Sequence, residues 1–505
     1  MVRTSRAAAE LKNLGRQSFH YVAGFVGNMG LGFVSFPIFT RAFTVADYGL
    51  IDFAQKILLL PTAVSKMGMQ NSALRFYNQG PESATRSQSG YYSTILLGVA
   101  LSSAAITLLF LAGVRVLSGT VIDPPLAQLL YFVGVLILVR SLWSILMAFL
   151  RVEERTKKLC LVGVAMKAAT IAAVCALLPI AGASAHTYFA GTLATEVIFA
   201  AIFIVPLVRR GLVNFVAIDT GLLRGAMAYG LPMIAYELAG VALLYGDRGM
   251  VRQYLGEQAL GYYTAAYSLS NYVNDFVMAP LGLAITPIYM RLWAKEGVEQ
   301  TSKFLSLSLD MFLMAVGLVV AGVGLVCQDA LVLLASPKYA AAGPLIPVLV
   351  AAMLIHATSQ FVSAGLLIGK RTGTMALVLL AATALNMGLN AVLLPRIGLE
   401  GAPFAALVSR GLCIAVLWRL SARILPLSLK PAGLLRYAVC GLAAWLVGSL
   451  VQLHPAVLNI IARGAVAVVV YIGCLCLLDS RVRALAAGLS RGRMEFRAAT
   501  AALLG

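Results

Sequence analysis

Within an otherwise apolar stretch, Asp52, Lys56, Leu59, Ala63, Lys66 and Gln70 advance in steps of four, three, four, three and four. On a helix such steps return each residue to one face, so two lysines, an acid and an amide share a stripe. Tyr263, Tyr267, Asn271 and Asn274 form a similar stripe with Asp275 at its flank, and shorter ones run through Tyr21, Asn28 and Ser35 and through Glu237, Leu244 and Asp247/Arg248. Ammonium groups neutralise anions, tyrosine rings offer flat faces, and amides exchange hydrogen bonds with hydroxyls. The same spacing fits a structural alternative, in which Asp52 and Lys56 are an i,i+4 ion pair and the tyrosines pack or anchor at an interface.

The elements that must carry these stripes follow from composition. Of 505 residues 60% are hydrophobic and only 12% charged, with a mean hydropathy of +0.89, which describes a chain built for a bilayer. About 20 apolar residues cross a hydrocarbon core of roughly 30 Å as a helix. Fourteen such spans are predicted, at 17–40, 49–73, 89–114, 125–150, 159–181, 184–208, 225–246, 260–290, 301–327, 341–369, 372–395, 399–424, 431–452 and 456–480. The run from Phe19 to Phe39 is too long for a cleaved leader and reads as an uncleaved first span.

Charge parity sets the expected topology. Of the 39 Lys and Arg residues, 27 fall at the two termini and in or at the edges of alternate gaps and 6 in the intervening gaps. The remaining 6, Lys56, Lys66, Arg140, Lys167, Arg410 and Arg463, fall inside spans. By the positive-inside rule both termini are cytoplasmic, which requires an even number of spans. Topology and attraction to anionic lipids account for the net charge of +19, so no nucleic-acid partner is implied.

A charged side chain at mid-bilayer costs roughly 2.5–3.5 kcal/mol, so those six cations and Asp52, Glu196, Glu237, Asp275 and Asp310 must face water or one another. Spans 1, 2, 7 and 8 carry the polar stripes, whereas spans 3 and 13 hold almost nothing polar at depth, as lipid-facing helices should. Arg140, Lys167, Glu196 and Arg410 read as inter-helix pairs, and Arg463 as a local or interface feature. Arg41, Asp247, Arg248 and Arg252 read as turn or gating charges.

Several chemistries are excluded. The seven cysteines lie in or beside apolar stretches, and Cys474/Cys476 has neither zinc-ligand nor redox spacing, so no metal site is expected. Gly365–Arg371 (GLLIGKR) lacks the spacing, the hydroxyl residue and the preceding strand of a phosphate loop, and no cofactor is implied. Four scattered histidines (20, 186, 356, 454) and short gaps argue against an enzyme such as a membrane glycosyltransferase or polymerase.

A shift of 212 lays Phe43-x4-Tyr48-Gly49-Leu50-x2-Phe53-Ala54 on Leu255-x4-Leu260-Gly261-Tyr262-x2-Ala265-Ala266. The second copy enters six spans later, so the repeats are parallel, with spans 1–6 and 7–12 as two lobes and 13–14 as an addition. The expected organisation is a cytoplasmic N-terminus (1–16), an N-lobe (17–208), a C-lobe (209–424), two further spans (425–480) and a basic cytoplasmic tail (481–505).

Three blocks carry a family resemblance: Thr40-Arg41-Ala42-Phe43-Thr44-Val45-Ala46-Asp47-Tyr48-Gly49; Gly246-Asp247-Arg248 with Leu255-Gly256, Leu260-Gly261-Tyr262-Tyr263 and Pro287; and Asn386, Asn390, Leu394-Pro395-Arg396-Ile397-Gly398 and Gly401-Ala402. With them the chain resembles the polysaccharide-transporter branch of the multidrug/oligosaccharidyl-lipid/polysaccharide (MOP) exporter superfamily, the Wzx-type flippases, over essentially its whole length. The resemblance implies an all-α integral membrane protein of about 14 transmembrane helices. Two six-helix lobes would stand in a V around a central cavity lined by spans 1, 2, 7 and 8, with two extra C-terminal helices.

It further implies translocation of a polyprenyl-diphosphate-linked oligosaccharide across the bacterial inner membrane for assembly of O-antigen, capsule or exopolysaccharide. The partners implied are that substrate, membrane lipids, and the polysaccharide polymerase and chain-length machinery. The residues that would line the cavity are Asn28, Asp52, Lys56, Lys66, Glu237, Tyr263, Tyr267, Asn271, Asn274 and Asp275, which suit a diphosphate and sugar hydroxyls. A peptidoglycan-precursor flippase or a cation-coupled drug exporter would share the fold.

Overall fold

The computed structural model describes residues 2–77, 88–214, 218–429, 431–479 and 482–483. Arg86, one of the basic residues of the alternate gaps, and all but two residues of the tail from Arg481 lie outside the described residues, as does the side chain of Pro287. Apart from one isolated bridge, Ser118 to Ile122, the described residues form no strand. With no water in a bilayer core, a backbone that bonds within its own segment is what such apolar stretches must adopt.

The chain divides into two compact units, Met1–Tyr245 and Gly246–Gly505. In the first, α1 (Val2–Ala42), α2 (Val45–Ser65), α3 (Met69–Phe76), α4 (Gln88–Leu117), α5 (Pro124–Val152), α6 (Thr156–Ala181) and α7 (Ala185–Arg209) match the predicted spans 1–6, with span 2 broken into α2 and α3. Its core joins Phe39, Phe43, Leu58, Leu130, Val133, Ile137 and Phe189. A second cluster gathers Met69, Tyr91, Tyr92, Ile95, Phe149 and Leu222.

The helix that follows, α8 (Thr220–Leu334), is one hydrogen-bonded run interrupted at Gly256 (φ 82°) and Gly297 (φ 75°). Those backbone conformations are open to glycine and strained for any other residue, so two glycines cut the run where the sequence separates spans 7, 8 and 9. The first piece, to Tyr245, belongs to the first unit, although the sequence assigns it to the second lobe.

The second unit continues with a 3-10 turn (Pro337–Ala342), then α9 (Leu345–Ala357), α10 (Ser359–Val362), α11 (Ala364–Ile368), α12 (Thr372–Ile397), α13 (Gly401–Ser421), α14 (Pro431–Ser449) and α15 (Ala456–Leu478). Predicted span 10 is thus three short helices. The last two helices dock on the third piece of α8: the Tyr437 hydroxyl donates to Asp310 at 2.9 Å and the Tyr471 hydroxyl to the Met314 carbonyl at 2.7 Å. Lipid tails are as apolar as leucine, so such polar contacts and close packing hold spans together where the hydrophobic effect does not. Ten described helical stretches are long and apolar enough to cross a membrane, and one of them, Thr372–Ser421, covers two predicted spans.

Candidate functional site

The candidate site of the first unit is a seam between α2–α3 and the first piece of α8. Thr44 caps α2, its hydroxyl oxygen accepting from the Asp47 amide at 3.0 Å. The helix stops at Ser65 because Met67 (φ 49°) and Gly68 (φ 66°) turn left-handed. The backbone of Gly68 then lies so close to that of Gly230 that a Cβ on either would collide with the other strand of the seam. Only glycine supplies both the conformation and the approach at position 68.

Four contacts define an antiparallel register along this seam. Ser72 donates to the Ala226 carbonyl at 2.7 Å, Gly68 meets Gly230, Lys66 Nζ meets Glu237 Oε1 at 2.6 Å, and Lys56 Nζ stands 4.5 Å from the centre of the Tyr245 ring. Lys56 and Lys66 are about 15 Å apart along a helix, and Glu237 and Tyr245 about 12 Å, which is how two side-by-side helices keep step.

Around the ion pair the network continues. Gln70 donates to Glu237 Oε2 at 3.4 Å, and Ser144 of α5 donates to Gln70 at 2.8 Å. Lys66 is nearly buried, its side chain 10% exposed, whereas that of Glu237 is 33% exposed. The pair is therefore sealed on the lysine side and open on the carboxylate side. Lys56 also pairs with Asp52 at 3.4 Å, the i,i+4 contact that the spacing allows.

Arg140, Glu196 and Lys167, three further charges predicted inside spans, have partners within the first unit. Arg140 of α5 grips both oxygens of Glu196 on α7 through Nε at 3.2 Å, and Nη2 adds a 3.1 Å contact. Lys167 of α6 donates to the backbone carbonyl of Asn28 at 2.7 Å, while the Asn28 amide turns back on its own helix to the Gly24 carbonyl at 3.0 Å. Arg41 stands at the end of α1 beside a shallow cleft lined by Phe33, Val34, Pro37 and Ile38.

In the second unit the expected residues fall into separate groups. Tyr263 is fully buried and its hydroxyl donates to Asp247. Arg248, 2% exposed, pairs with Asp247 at 3.4 Å and lies 4.2 Å from the centre of the Tyr267 ring. Tyr263 and Tyr267 are thus walls of a closed ionic cluster and not an open surface. Arg252 pairs with Glu257 at 2.9 Å.

One turn further, Asn271 and Asn274 donate to the two oxygens of Asp275 at 2.9 and 3.5 Å, so the three predicted polar residues do come together. Arg410 of α13, on a helix that packs against α9, makes no ion pair among the described residues. Arg463 pairs with Asp329 at 3.3 Å and donates to the Val451 carbonyl at 2.8 Å. Among the described residues no group of three His, Cys, Asp or Glu is placed to hold a metal ion.

The sequence did not point to Tyr245 or Ser144 as members of the site. Tyr245 stands eight residues after Glu237, about 80° round the helix from it, so a strict helical stripe selects Leu244 instead. Ser144 carries no signal in its own span, because a few hydroxyls, here Ser141 and Ser144, are ordinary in an apolar helix.

Comparison with known proteins agrees with this architecture. The polysaccharide biosynthesis protein family model matches residues 14–293, more than half of the chain. Among solved structures, the lipid II flippase MurJ in an inward closed conformation aligns with a TM-score of 0.70 at 14% identity, covering 91% of this chain and 98% of that one. An inward-facing multidrug resistance MATE family transporter of the MOP superfamily aligns at 0.61 and 13% identity, covering 79% and 94%. An outward-facing one aligns at 0.55 and 15%, covering 82% and 95%. A sequence comparison with curated proteins found no match. At such identities the structural likenesses establish the fold, and the sequence match establishes the kinship: this multi-pass helical membrane protein belongs to the polysaccharide biosynthesis protein family.

Proposed function

We propose that the protein is a flippase that carries a polyprenyl-diphosphate-linked oligosaccharide from the cytoplasmic to the periplasmic leaflet of a bacterial inner membrane, with both termini cytoplasmic. The observation that carries the reading is the Lys66–Glu237 pair, a lysine sealed on one side and a carboxylate open on the other, on a helix that also bears Lys56. A diphosphate is a stronger and more highly charged acceptor than a carboxylate. Entering beside Glu237, it would take Lys66 from that acid, with Lys56 about 15 Å further along α2 as the next cation.

Loss of the Lys66–Glu237 contact would loosen the seam at the Gly68 break, which ties cargo binding to the movement that alternating access requires. The prenyl tail would stay in lipid while the headgroup crosses. With no nucleotide motif in the chain, membrane potential or an ion gradient would bias direction. The polysaccharide polymerase and chain-length machinery would act on the product.

The test is deletion of the gene in its host, followed by mass spectrometry of polyprenyl-linked intermediates and an impermeant glycan-modifying reagent on spheroplasts. A protected, cytoplasm-facing intermediate is expected, and complementation by a Lys56→Ala/Lys66→Ala double variant should fail at normal protein abundance. Accumulation on the accessible face would place the protein at a later polymerase or ligase step instead. A second reading, a peptidoglycan-precursor flippase, draws on the likeness to MurJ. The identity of the accumulated lipid separates the two.

A further inference from the structure

Away from the seam, the first unit contains a cleft of about 780 Å³ where α4, α5, α6 and α7 end on their basic side. None of its lining residues belongs to α2 or to α8. Its mouth carries Arg155, Lys158 and Arg210 against a single acid, Glu153. That acid is already satisfied, accepting from the Tyr92 hydroxyl at 2.5 Å and pairing with Arg155 at 3.0 Å. Lys158 and Arg210 have no carboxylate partner among the described residues, and the Lys158 ammonium rests 5.0 Å from the centre of the Phe203 ring.

Behind the mouth the wall turns apolar. Val162 lies one turn beyond Lys158 on α6, and Phe199, Ile202, Phe203 and Pro206 of α7 run back from Arg210 over about 16 Å of helix. Trp143 of α5 holds that wall by edge contacts to Phe199 and Phe203 at 6.2 and 5.8 Å. Ile202 is 56% exposed, so the apolar wall opens sideways onto the face that lipid covers in a membrane.

We propose that this cleft is a binding site for one anionic phospholipid, its phosphate between Lys158 and Arg210 and its acyl chains along Phe199, Ile202 and Phe203. The polarity of the cleft is that of such a lipid: two cations with no carboxylate partner among the described residues at the level of a headgroup, then an apolar channel leading to the hydrocarbon. A free anion would use only the mouth, and a zwitterionic lipid brings its own cation to the two already there. Charge parity puts this end of the helices in the cytoplasmic leaflet, where anionic lipids attract basic residues. The proposal does not depend on which cargo is transported.

The test is native mass spectrometry of the purified full-length protein in detergent after incubation with phosphatidylglycerol, phosphatidylethanolamine or undecaprenyl diphosphate. One phosphatidylglycerol should be retained preferentially, and Lys158→Gln/Arg210→Gln should weaken its retention roughly tenfold or more. Lys158→Arg/Arg210→Lys should keep it. A control pair of exposed basic residues outside the lining, Lys157→Gln/Arg209→Gln, should change little.

Equal loss in the control would mean diffuse surface charge and overturn the site, as would unchanged retention in Lys158→Gln/Arg210→Gln. Preferential retention of undecaprenyl diphosphate would reassign the cleft to substrate entry. Displacement by millimolar inorganic phosphate, with no dependence on acyl chains, would reassign it to a free anion. Either result overturns the phospholipid assignment.

Discussion

Lys66–Glu237 in the first unit and Asp247–Arg248–Tyr263 in the second are both ionic clusters set on helices of a membrane protein, and they differ in what surrounds them. The second is closed, with side-chain exposures of 3% for Arg248 and 8% for Asp247 and a tyrosine ring over the guanidinium. The first leaves a third of the Glu237 side chain exposed. A closed cluster spends its charge on itself and fixes a helix corner. A half-open one retains an electrostatic attraction that an incoming anion can redirect. Charge in a span is therefore ambiguous until its burial is known.

The contrast can be broken most directly at Arg248. Arg248→Ala leaves Asp247 buried with only a tyrosine hydroxyl, and should destabilise the protein by about 3–5 kcal/mol. A marked fall in the detergent-solubilised melting temperature is expected; an unchanged melt would mean that the corner is not sealed. At Arg140–Glu196, Arg140→Leu should cost about 3 kcal/mol, while adding Glu196→Leu should recover most of the loss. If the double variant is no better than the single one, the pair is more than structural.

Tyr263→Phe probes the closed cluster with a smaller step. It removes the hydrogen bond to Asp247 and should cost about 1–3 kcal/mol without affecting export beyond the fall in abundance, as measured by surface glycan per molecule of protein. Smallest is Lys56→Gln: the i,i+4 pair with Asp52 contributes about 0.5 kcal/mol, so thermal stability should hardly move. A reduction in export from so mild a variant would place Lys56 on the cargo's path, and its absence would leave Lys56 as a local partner of Asp52 and Tyr245.

Much of the fold was legible because an apolar segment in lipid has one way to satisfy its backbone. The predicted ends of spans 3 to 6 lie within three residues of α4 to α7. The breaks were not legible in the same way. Met67 in a left-handed conformation and the division of span 10 at Thr358 and Ser363 leave no mark in hydropathy, since every residue involved is as apolar or as small as its neighbours. The candidate seam was legible in part: spacing alone singles out Asp52, Lys56, Lys66 and Glu237, which pair along it, and by the same rule Tyr263 and Tyr267, which lie in a closed cluster.

Which residues sit in spans, which share a helix face and in which gaps the basic residues collect can be read along the chain, because helical geometry and the cost of charge in hydrocarbon act locally. That Lys66 meets Glu237, 171 residues away, while Lys56 meets Tyr245, follows from how the helices pack. Periodicity gives the angle of a side chain about its own axis. The register of one helix against another is set by close approaches such as Gly68 on Gly230, which no single helix encodes.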